Sequence, residues 1–292
     1  MDEGGLGPYT VSFAERMAWM ETKPYLDVHV TDHCNLRCRG CIHFAPLAER
    51  HFLDLDEYER DLDRLAAIEG LGDYLLTLML MGGEPLLHPR LPQIVRLTRR
   101  YLPQATVALC TNGLLLKLMG EDFWSALAEA DVQLRISPYP IRVDYQELAD
   151  LAASHGVPVR FAVDITGHDL GKEAFLRLAI DPQGASDPDH SFVRCPFGGR
   201  YLQLSQGAIW PCQMAAHHGT LARHFGVDLH ASEDDRLPLD GLTTTDQIEA
   251  FRRSAHPMCR HCDNDALEMV TWGRSKLDPA EWLTSARQAP AT

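Results

Sequence analysis

The stretch VTDHCNLRCRGCIHFAP (residues 30–46) places three cysteines within eight positions, at Cys34, Cys38 and Cys41. It overlaps the end of YLDVHVTD (residues 25–32), whose apolar and β-branched residues predict a buried strand. Cysteine thiolate is the usual ligand of a [4Fe–4S] cluster, so this loop can hold three irons and leave the fourth open to a ligand from outside the protein. Zinc is the alternative, although structural zinc sites are closed and are usually built from CxxC pairs.

Strands and helices alternate through residues 25–165. This pattern predicts an α/β protein with a parallel sheet, either doubly wound or rolled into an open barrel. In both architectures the functional residues lie at the carboxyl ends of the strands. The predicted strands are 25–32, 75–83, 105–113, 132–140 and 157–165, and the predicted helices are 55–71, 90–103, 121–130 and 145–156.

Polar residues and glycines suited to ligand binding occur at the end of each predicted strand. The cysteine triplet follows the first strand, and a Gly-Gly-Glu sequence follows the second. Because the carboxyl ends of parallel strands meet at one edge of a sheet, we expect a single site there. Besides the cysteines, its candidate members are Gly82, Gly83, Glu84, Thr111, Asn112, Ser137 and Asp164.

The cysteine triplet, the sequence GGEP (residues 82–85) and the sequence TNG (residues 111–113) together resemble the radical S-adenosylmethionine (SAM) superfamily. The resemblance implies a partial (βα)6 barrel in which SAM binds the open iron. It also implies cleavage of SAM to a 5′-deoxyadenosyl radical that abstracts hydrogen from the substrate. The three cysteines would hold the cluster, and the implied SAM contacts are Gly82, Gly83, Glu84, Thr111, Asn112, Ser137 and His43.

One position departs from the family pattern. Members usually carry an aromatic residue directly before the third cysteine, where this chain has Gly40. The adenine must then be held partly by another residue. His43 and Phe44 are the candidates, and Phe44 is equally suited to the core.

Four further cysteines occur late in the chain. Residues 201–210 predict a hairpin that turns near Gln206 and Gly207, and a helix at about 244–254 leads into CRHC (259–262). Four thiolates would satisfy zinc equally well. The pattern resembles the twitch module of radical SAM proteins, the short form of the SPASM extension, which implies a small α+β domain with an auxiliary [4Fe–4S] cluster. Its implied ligands are Cys195, Cys212, Cys259 and Cys262.

These observations divide the chain into four predicted parts. They are an N-terminal segment (1–22), a radical SAM partial barrel (23–190), a twitch domain (191–270) and a C-terminal tail (271–292). The tail sequence TWGRSKLDPAEW (271–282) either closes over the barrel or forms a surface helix.

Two reactions are consistent with this combination. Relatives with a twitch module include 2-deoxy-scyllo-inosamine dehydrogenase and aminoglycoside epimerases of antibiotic pathways. The resemblance therefore suggests a sugar, aminocyclitol or aminoglycoside substrate that is oxidised to a ketone through the auxiliary cluster. Epimerisation is the alternative and needs a thiol outside the clusters, for which Cys110 remains. A peptide-modifying twitch enzyme and a non-catalytic iron–sulfur scaffold are further alternatives.

Several other polar residues are candidates for the cavity. We expect Arg160 or a histidine to accept the hydroxyl proton of the substrate. The candidates lie near strand ends and after the second late cysteine, and they are Tyr139, Arg160, Asp164, Gln213, His217 and His218.

The net charge of −14 opposes binding to nucleic acid or to an anionic membrane and favours a cationic substrate. The first twenty residues lack the basic start and the apolar stretch of a secretory signal, so a cytoplasmic protein is expected. In a reducing compartment eight cysteines favour metal ligands over disulfides. The expected electron donor is of the flavodoxin or ferredoxin type.

Overall fold

The computed structural model describes residues 18, 20–161 and 174–284. An eight-stranded sheet forms its centre, and a separate two-stranded sheet lies beside it. The predicted site residue Asp164 lies outside the described residues. None of the described helices is long and apolar enough to cross a membrane.

Six neighbouring strands of the large sheet run parallel, in the order β5-β4-β3-β2-β1-β7, and β8 and β9 complete it as antiparallel strands. This arrangement confirms the predicted α/β class and the partial barrel. The strands are β1 (Tyr25–Thr31), β2 (Thr77–Gly82), β3 (Val107–Thr111), β4 (Gln133–Ile136), β5 (Val159–Phe161), β6 (Ala174–Arg177), β7 (Tyr201–Ser205), β8 (Ala208–Trp210), β9 (Leu237–Pro238) and β10 (Glu268–Thr271).

Helices cover the outer face of this sheet. The first begins where Asp54 accepts hydrogen bonds from the backbone N–H groups of Asp56 and Glu57. Its buried face, which includes Leu62 and Leu65, packs on the outward side chains of the strands. The helices are α1 (Leu55–Ala66), α2 (Leu71–Tyr74), α3 (Leu91–Tyr101), α4 (Glu121–Glu129), α5 (Tyr145–Ser154), α6 (Pro188–Arg194), α7 (Gln213–Phe225) and α8 (Thr245–Arg252).

The predicted late hairpin is present as β7 and β8, and it turns at Gln206 and Gly207. It does not stand apart from the barrel, because β7 pairs in parallel with β1 from Tyr25–Tyr201 to Val28–Leu204. The predicted boundary between a barrel and a twitch domain therefore coincides with no break in the sheet. The backbone hydrogen bonds of β1 are satisfied on both sides, by β2 and by β7.

The C-terminal strap, defined here as residues 271–284, closes over the first cysteine loop. It contains a short 3₁₀ turn (Pro279–Glu281) and no longer helix, so the surface-helix alternative is wrong for these residues. The side chain of Trp282 is fully buried in a second core cluster. That cluster also contains Phe44 from the cysteine loop and Trp210 from β8, so the strap, the loop and the hairpin share one core.

Candidate active site

The three early cysteines line one cavity of about 90 Å3 at the carboxyl ends of β1 to β4. We call this cavity the three-cysteine pocket. Every residue implied as a SAM contact also lines it, because the parallel strands bring their ends to the same edge of the sheet. These residues are Gly82, Gly83, Glu84, Thr111, Asn112, Ser137 and His43, and Cys110 and Tyr139 line the same pocket.

The sulfur atoms of this pocket accept N–H hydrogen bonds. The backbone N–H of Leu36 lies 3.3 Å from Cys34 Sγ, and the indole N–H of Trp272 lies 3.3 Å from Cys38 Sγ. Burial, with the nearby Glu84 carboxylate, raises the pKa of Cys34 well above its ordinary value. A bound cation would offset that penalty and hold the thiolate, so this donor set fits an iron–sulfur cluster.

Two glycines let the end of β2 approach the chain that leads into the cysteine loop. A Cβ atom on Gly82 would lie 2.1 Å from the carbonyl oxygen of Thr31, and one on Gly83 would lie 2.0 Å from that of His33. The N–H of Gly83 donates to the Thr31 carbonyl at 2.8 Å. Sequence reasoning assigned these glycines to room for SAM, but the structure shows that backbone contact alone already requires them.

Glu84 is held by the loop after β3. Its carboxylate accepts hydrogen bonds from Thr111 Oγ1 at 2.6 Å and from the backbone N–H groups of Asn112 and Leu86. The side chain is 1% exposed, and burial raises its pKa to about 7. Glu84 thus joins the ends of β2 and β3, in addition to lining the pocket.

The positive φ of Gly40, together with the neighbouring C-terminal strap, disfavours an aromatic residue at this position. Gly40 has a φ of +64°, and a Cβ atom there would lie 3.4 Å from the carbonyl oxygen of Glu281 in the strap. The indole N–H of Trp282 donates to the Cys41 carbonyl at 2.9 Å. The strap occupies the space beside Gly40. Of the two adenine candidates, Phe44 is fully buried in the core and His43 faces the pocket.

The four late cysteines line a second, smaller cavity of about 20 Å3, which we call the four-cysteine pocket. The backbone N–H groups of Phe197 and Gly198 donate to Cys195 Sγ. Cys212 caps the N-terminus of α7, where the helix dipole favours a thiolate. Burial and the neighbouring thiols raise the pKa of Cys212 and Cys262 well above the ordinary value.

The spacing of the sulfur atoms can be compared with that of a closed zinc site. Tetrahedral zinc with bonds of about 2.3 Å places its four sulfurs about 3.8 Å apart. Among the described residues, which include all eight cysteines, the only three potential ligand atoms that lie within 4.8 Å of one another belong to His29, Asp32 and His217. No three sulfurs in either pocket thus lie within 4.8 Å of one another, a spacing that is wider than that of a closed tetrahedral zinc site.

The two predicted catalytic residues occupy different positions. Cys110 lies on the inner face of β3, with its sulfur 3.8 Å from Met79 Sδ, and it lines the three-cysteine pocket. Arg160 is exposed on the edge strand β5 opposite Arg135, and it does not line that pocket. Guanidinium also stays protonated at ordinary pH, so Arg160 is a poor proton acceptor.

A further cavity of about 450 Å3 contains predicted residues together with one that sequence reasoning missed. His217 and His218 line it, while Gln213 is buried outside its lining. The missed residue is His29, whose ring stacks on that of His217 with a centroid separation of 3.7 Å. Asp27, His29 and Thr31 alternate with apolar residues along the buried strand β1, and this alternation was an available signal for an inward polar row.

Comparison with known proteins agrees with this geometry. Residues 28–139 match the family model of the radical SAM superfamily. Residues 28–139 form a radical SAM domain. The GTP 3′,8-cyclase of Chlorobaculum tepidum is 36% identical over 95 residues, which cover 32% of this chain and 27% of that protein. The GTP 3′,8-cyclase of Helicobacter pylori is 36% identical over 114 residues, covering 38% and 34%, respectively.

The match to these curated relatives spans about a third or less of their length. Among solved structures, BtrN in complex with AdoMet and 2-DOIA aligns with a TM-score of 0.51 at 17% identity, over 85% of this chain and 99% of that chain. The radical SAM domain therefore sits in a fold that is shared with BtrN over most of the chain. This family implies a [4Fe–4S] cluster and SAM, whose expected ligands line the three-cysteine pocket.

Proposed function

We propose that this chain is a radical SAM dehydrogenase. It would oxidise a carbinol carbon of a sugar, aminocyclitol or aminoglycoside to a ketone. The observation that carries the proposal is the convergence of three cysteines with all the implied SAM contacts in one pocket, together with a second pocket lined by four cysteines. When bound, SAM and its cluster would supply a radical that abstracts hydrogen, and an auxiliary cluster would accept the remaining electron.

The residues of the three-cysteine pocket would hold and orient the cofactor. Cys34, Cys38 and Cys41 would hold three irons. Gly82 and Gly83 expose backbone at the end of β2, and Ser137 lies at the end of β4, within reach of the same cavity. The C-terminal strap contacts the cysteine loop through the Cys38–Arg274 bridge and the hydrogen bond from Trp282 to the Cys41 carbonyl, and it covers part of that loop.

Oxidation of an alcohol also needs an acceptor for its hydroxyl proton. Burial lowers the pKa of His217 well below its ordinary value and lowers that of His218, so both rings are neutral at pH 7. A neutral imidazole can take a proton, whereas Arg160 cannot. We therefore assign the acceptor role to one of these two histidines in place of Arg160.

Epimerisation is the second candidate, because Cys110 does line the three-cysteine pocket. An epimerase must return hydrogen to the face opposite the one from which it was abstracted. Cys110 lies on the same side as the SAM contacts, beside Met79 and before Thr111. That position is unsuited to attack on the far face, so the dehydrogenase remains the better proposal.

The cyclase activity of the curated relatives is not carried over to this chain. Their similarity covers about a third of it, and the activity named for them acts on GTP, a polyanion. The large cavity here is lined by three carboxylates and one arginine, which would repel a triphosphate.

The proposed function is tested by anaerobic reconstitution followed by reduction with dithionite. We expect about eight irons per chain, formation of 5′-deoxyadenosine from SAM, and ketone formation from a substrate of the proposed class. A flavodoxin or ferredoxin should replace dithionite. Product of unchanged oxidation level would contradict dehydrogenation, and product that survives in Cys110→Ala would exclude the epimerase. Failure to form 5′-deoxyadenosine would contradict both reactions.

A further inference from the structure

The large cavity lies where the sheet divides. β1 pairs with β7 only as far as Val28, while His29 and Thr31 continue to pair with β2. Beyond Val28 the hairpin turns away at Gln206 and Gly207, and the space between β1, α1, the hairpin and α7 forms the cavity of about 450 Å3. We call it the histidine cavity, after His29, His51, His217 and His218, which line it.

The lining of this cavity is predominantly acidic. Its carboxylates are Asp32, Glu57 and Asp61, and its one guanidinium is Arg223. Asp61 is 5% exposed, forms an ion pair with Arg64 at 3.4 Å and lies beside Gly207, so α1 lies close to the tip of the hairpin. Glu57 is exposed and makes no ion pair within 4.0 Å among the described residues. The cavity thus presents net negative charge to a ligand.

Two buried ring nitrogens in this cavity make no hydrogen bond to the described residues. They are His29 Nδ1 and His217 Nε2. His29 is 8% exposed, and its nearest carboxylate oxygen, on Asp32, lies 3.5 Å away. Buried polar atoms normally have partners, and because His29 Nδ1 faces Asp32, it is His217 Nε2 above all that points to a ligand.

A metal ion does not fit this pair of rings. An ion binds imidazole in the plane of the ring, at about 2.1 Å from the nitrogen. The rings of His29 and His217 lie face to face at 3.7 Å and only 10° from parallel, so one ion cannot lie in both planes. The donors Asp32, His29 and His217 come close together but do not form a metal site in this arrangement.

We propose that the histidine cavity binds the ammonium-bearing part of an aminocyclitol or aminosugar. Glu57 and Asp61 face its cationic groups, and His29 and His217 hydrogen-bond its hydroxyl or ammonium groups. The cavity adjoins the cofactor site, because His29 Nε2 lies 2.9 Å from Nδ1 of His43, which lines the three-cysteine pocket. The hydrogen-bonded pair His29–His43 therefore lies between a ligand held here and the SAM contacts. This assignment rests on the proposed function and adds the location and charge of its substrate site.

Two matched ring compounds test the assignment. Streptamine is scyllo-inositol with two hydroxyls replaced by amines, so the pair differs in charge and hardly in shape. Titration calorimetry on the reconstituted protein with SAM should show streptamine binding at least tenfold more tightly than scyllo-inositol. Equal binding of the two compounds, or no binding of streptamine, would overturn the proposal.

Three variants locate the binding. Glu57→Gln removes one charge from the cavity, and Asp63→Asn makes the same change on an exposed residue of α1 that does not line it. His217→Phe keeps a stacked ring but removes the nitrogen. We expect Glu57→Gln and His217→Phe each to weaken streptamine binding about fivefold or more, and Asp63→Asn to leave it unchanged. Equal effects of Glu57→Gln and Asp63→Asn would place the ligand outside the cavity.

The outcomes separate this proposal from the proposed reaction. Selective streptamine binding without 5′-deoxyadenosine formation would retain the cavity assignment and refute the radical reaction. Formation of 5′-deoxyadenosine with equal binding of both compounds would retain the radical reaction and refute the cavity assignment. Binding of Zn2+ that is lost in His217→Phe, together with no selectivity for streptamine, would replace the proposal with a metal site.

Discussion

The two cysteine pockets are built in different ways. The three-cysteine pocket takes its sulfurs from one loop of eight residues, and it opens toward glycines and polar groups at the strand ends. The four-cysteine pocket gathers Cys195, Cys212, Cys259 and Cys262 from distant segments, and its lining is apolar apart from a few groups. An open site leaves one metal position for an external ligand, whereas a closed site favours a structural or electron-transfer role.

Cysteine substitutions should therefore have different consequences in the two pockets. Cys38→Ala should abolish 5′-deoxyadenosine formation and lower the iron content by about half. Cys259→Ala should also lower iron by about half but leave SAM cleavage measurable, with the loss confined to ketone formation. Iron analysis would measure the metal content, and chromatography would measure 5′-deoxyadenosine and the ketone. Complete loss of SAM cleavage in both variants, with both proteins folded, would contradict the division of roles.

Gly83→Ala should damage the open pocket selectively. The added methyl group would meet the His33 carbonyl at 2.0 Å, and relieving such an overlap costs about 3 kcal/mol. We expect a lower urea midpoint and loss of iron from the three-cysteine pocket. Gly120→Ala is the matched control, because no atom lies within 4 Å of its added methyl group. Similar midpoints for the two variants would show that the close approach of β2 to the cysteine loop is unimportant.

Asp27 tests the junction between β1 and β7, the strands that lead to the two cysteine pockets. Asp27 lies on β1, which leads to the three-cysteine pocket. Its carboxylate accepts a hydrogen bond of 2.9 Å from Gln203 on β7, and β7 belongs to the hairpin that leads to Cys212 of the four-cysteine pocket. Burial raises its pKa from 3.8 to about 7. The folded state therefore binds a proton more tightly than the unfolded state. This contribution to stability is fully present below about pH 4 and is lost as the pH rises through 7.

The unfolding free energy should consequently fall by up to about 1.4 kcal/mol per pH unit across this window. Asp27→Asn cannot ionise and should flatten the dependence, so the variant should be the more stable protein at pH 7.5. Urea unfolding between pH 4 and pH 8 measures both curves. Identical slopes for the two proteins would show that Asp27 is not protonated in the folded state.

Trp272 tests how the strap acts on the open pocket. Its indole N–H donates to Cys38 Sγ, and hydrogen bonds to cluster sulfurs raise the reduction potential. Trp272→Phe should lower the potential of the first cluster by about 40 mV, the equivalent of one hydrogen bond of about 1 kcal/mol in a one-electron couple. The auxiliary cluster of the proposed function would serve as the internal control. A redox titration followed by electron paramagnetic resonance that shows no shift, or equal shifts in both clusters, would contradict this role.

The position of the strap and the placement of the hairpin were beyond sequence reasoning. The local motifs predicted the strands, the first cysteine loop and the turn at Gln206 and Gly207, because these depend on neighbouring residues. The parallel pairing of β7 with β1 joins residues about 176 positions apart, as the Asp27–Gln203 hydrogen bond shows. The hydrophobic periodicity of either strand does not predict which distant strand it pairs with. The exposure of Arg160 on β5 likewise depends on which strands pair, so the sequence could not predict it.

The amino-acid sequence by itself determined the alternation of strands and helices and the cysteine spacing, since both arise from contacts within a few residues. It also determined that strand-end residues would meet, because parallel strands share a carboxyl edge. Only the tertiary structure decided that Gly40 takes a positive φ beside the strap and that His29 stacks on His217. Those contacts join segments far apart in the chain, and packing, which selects them, depends on the shape of the whole core.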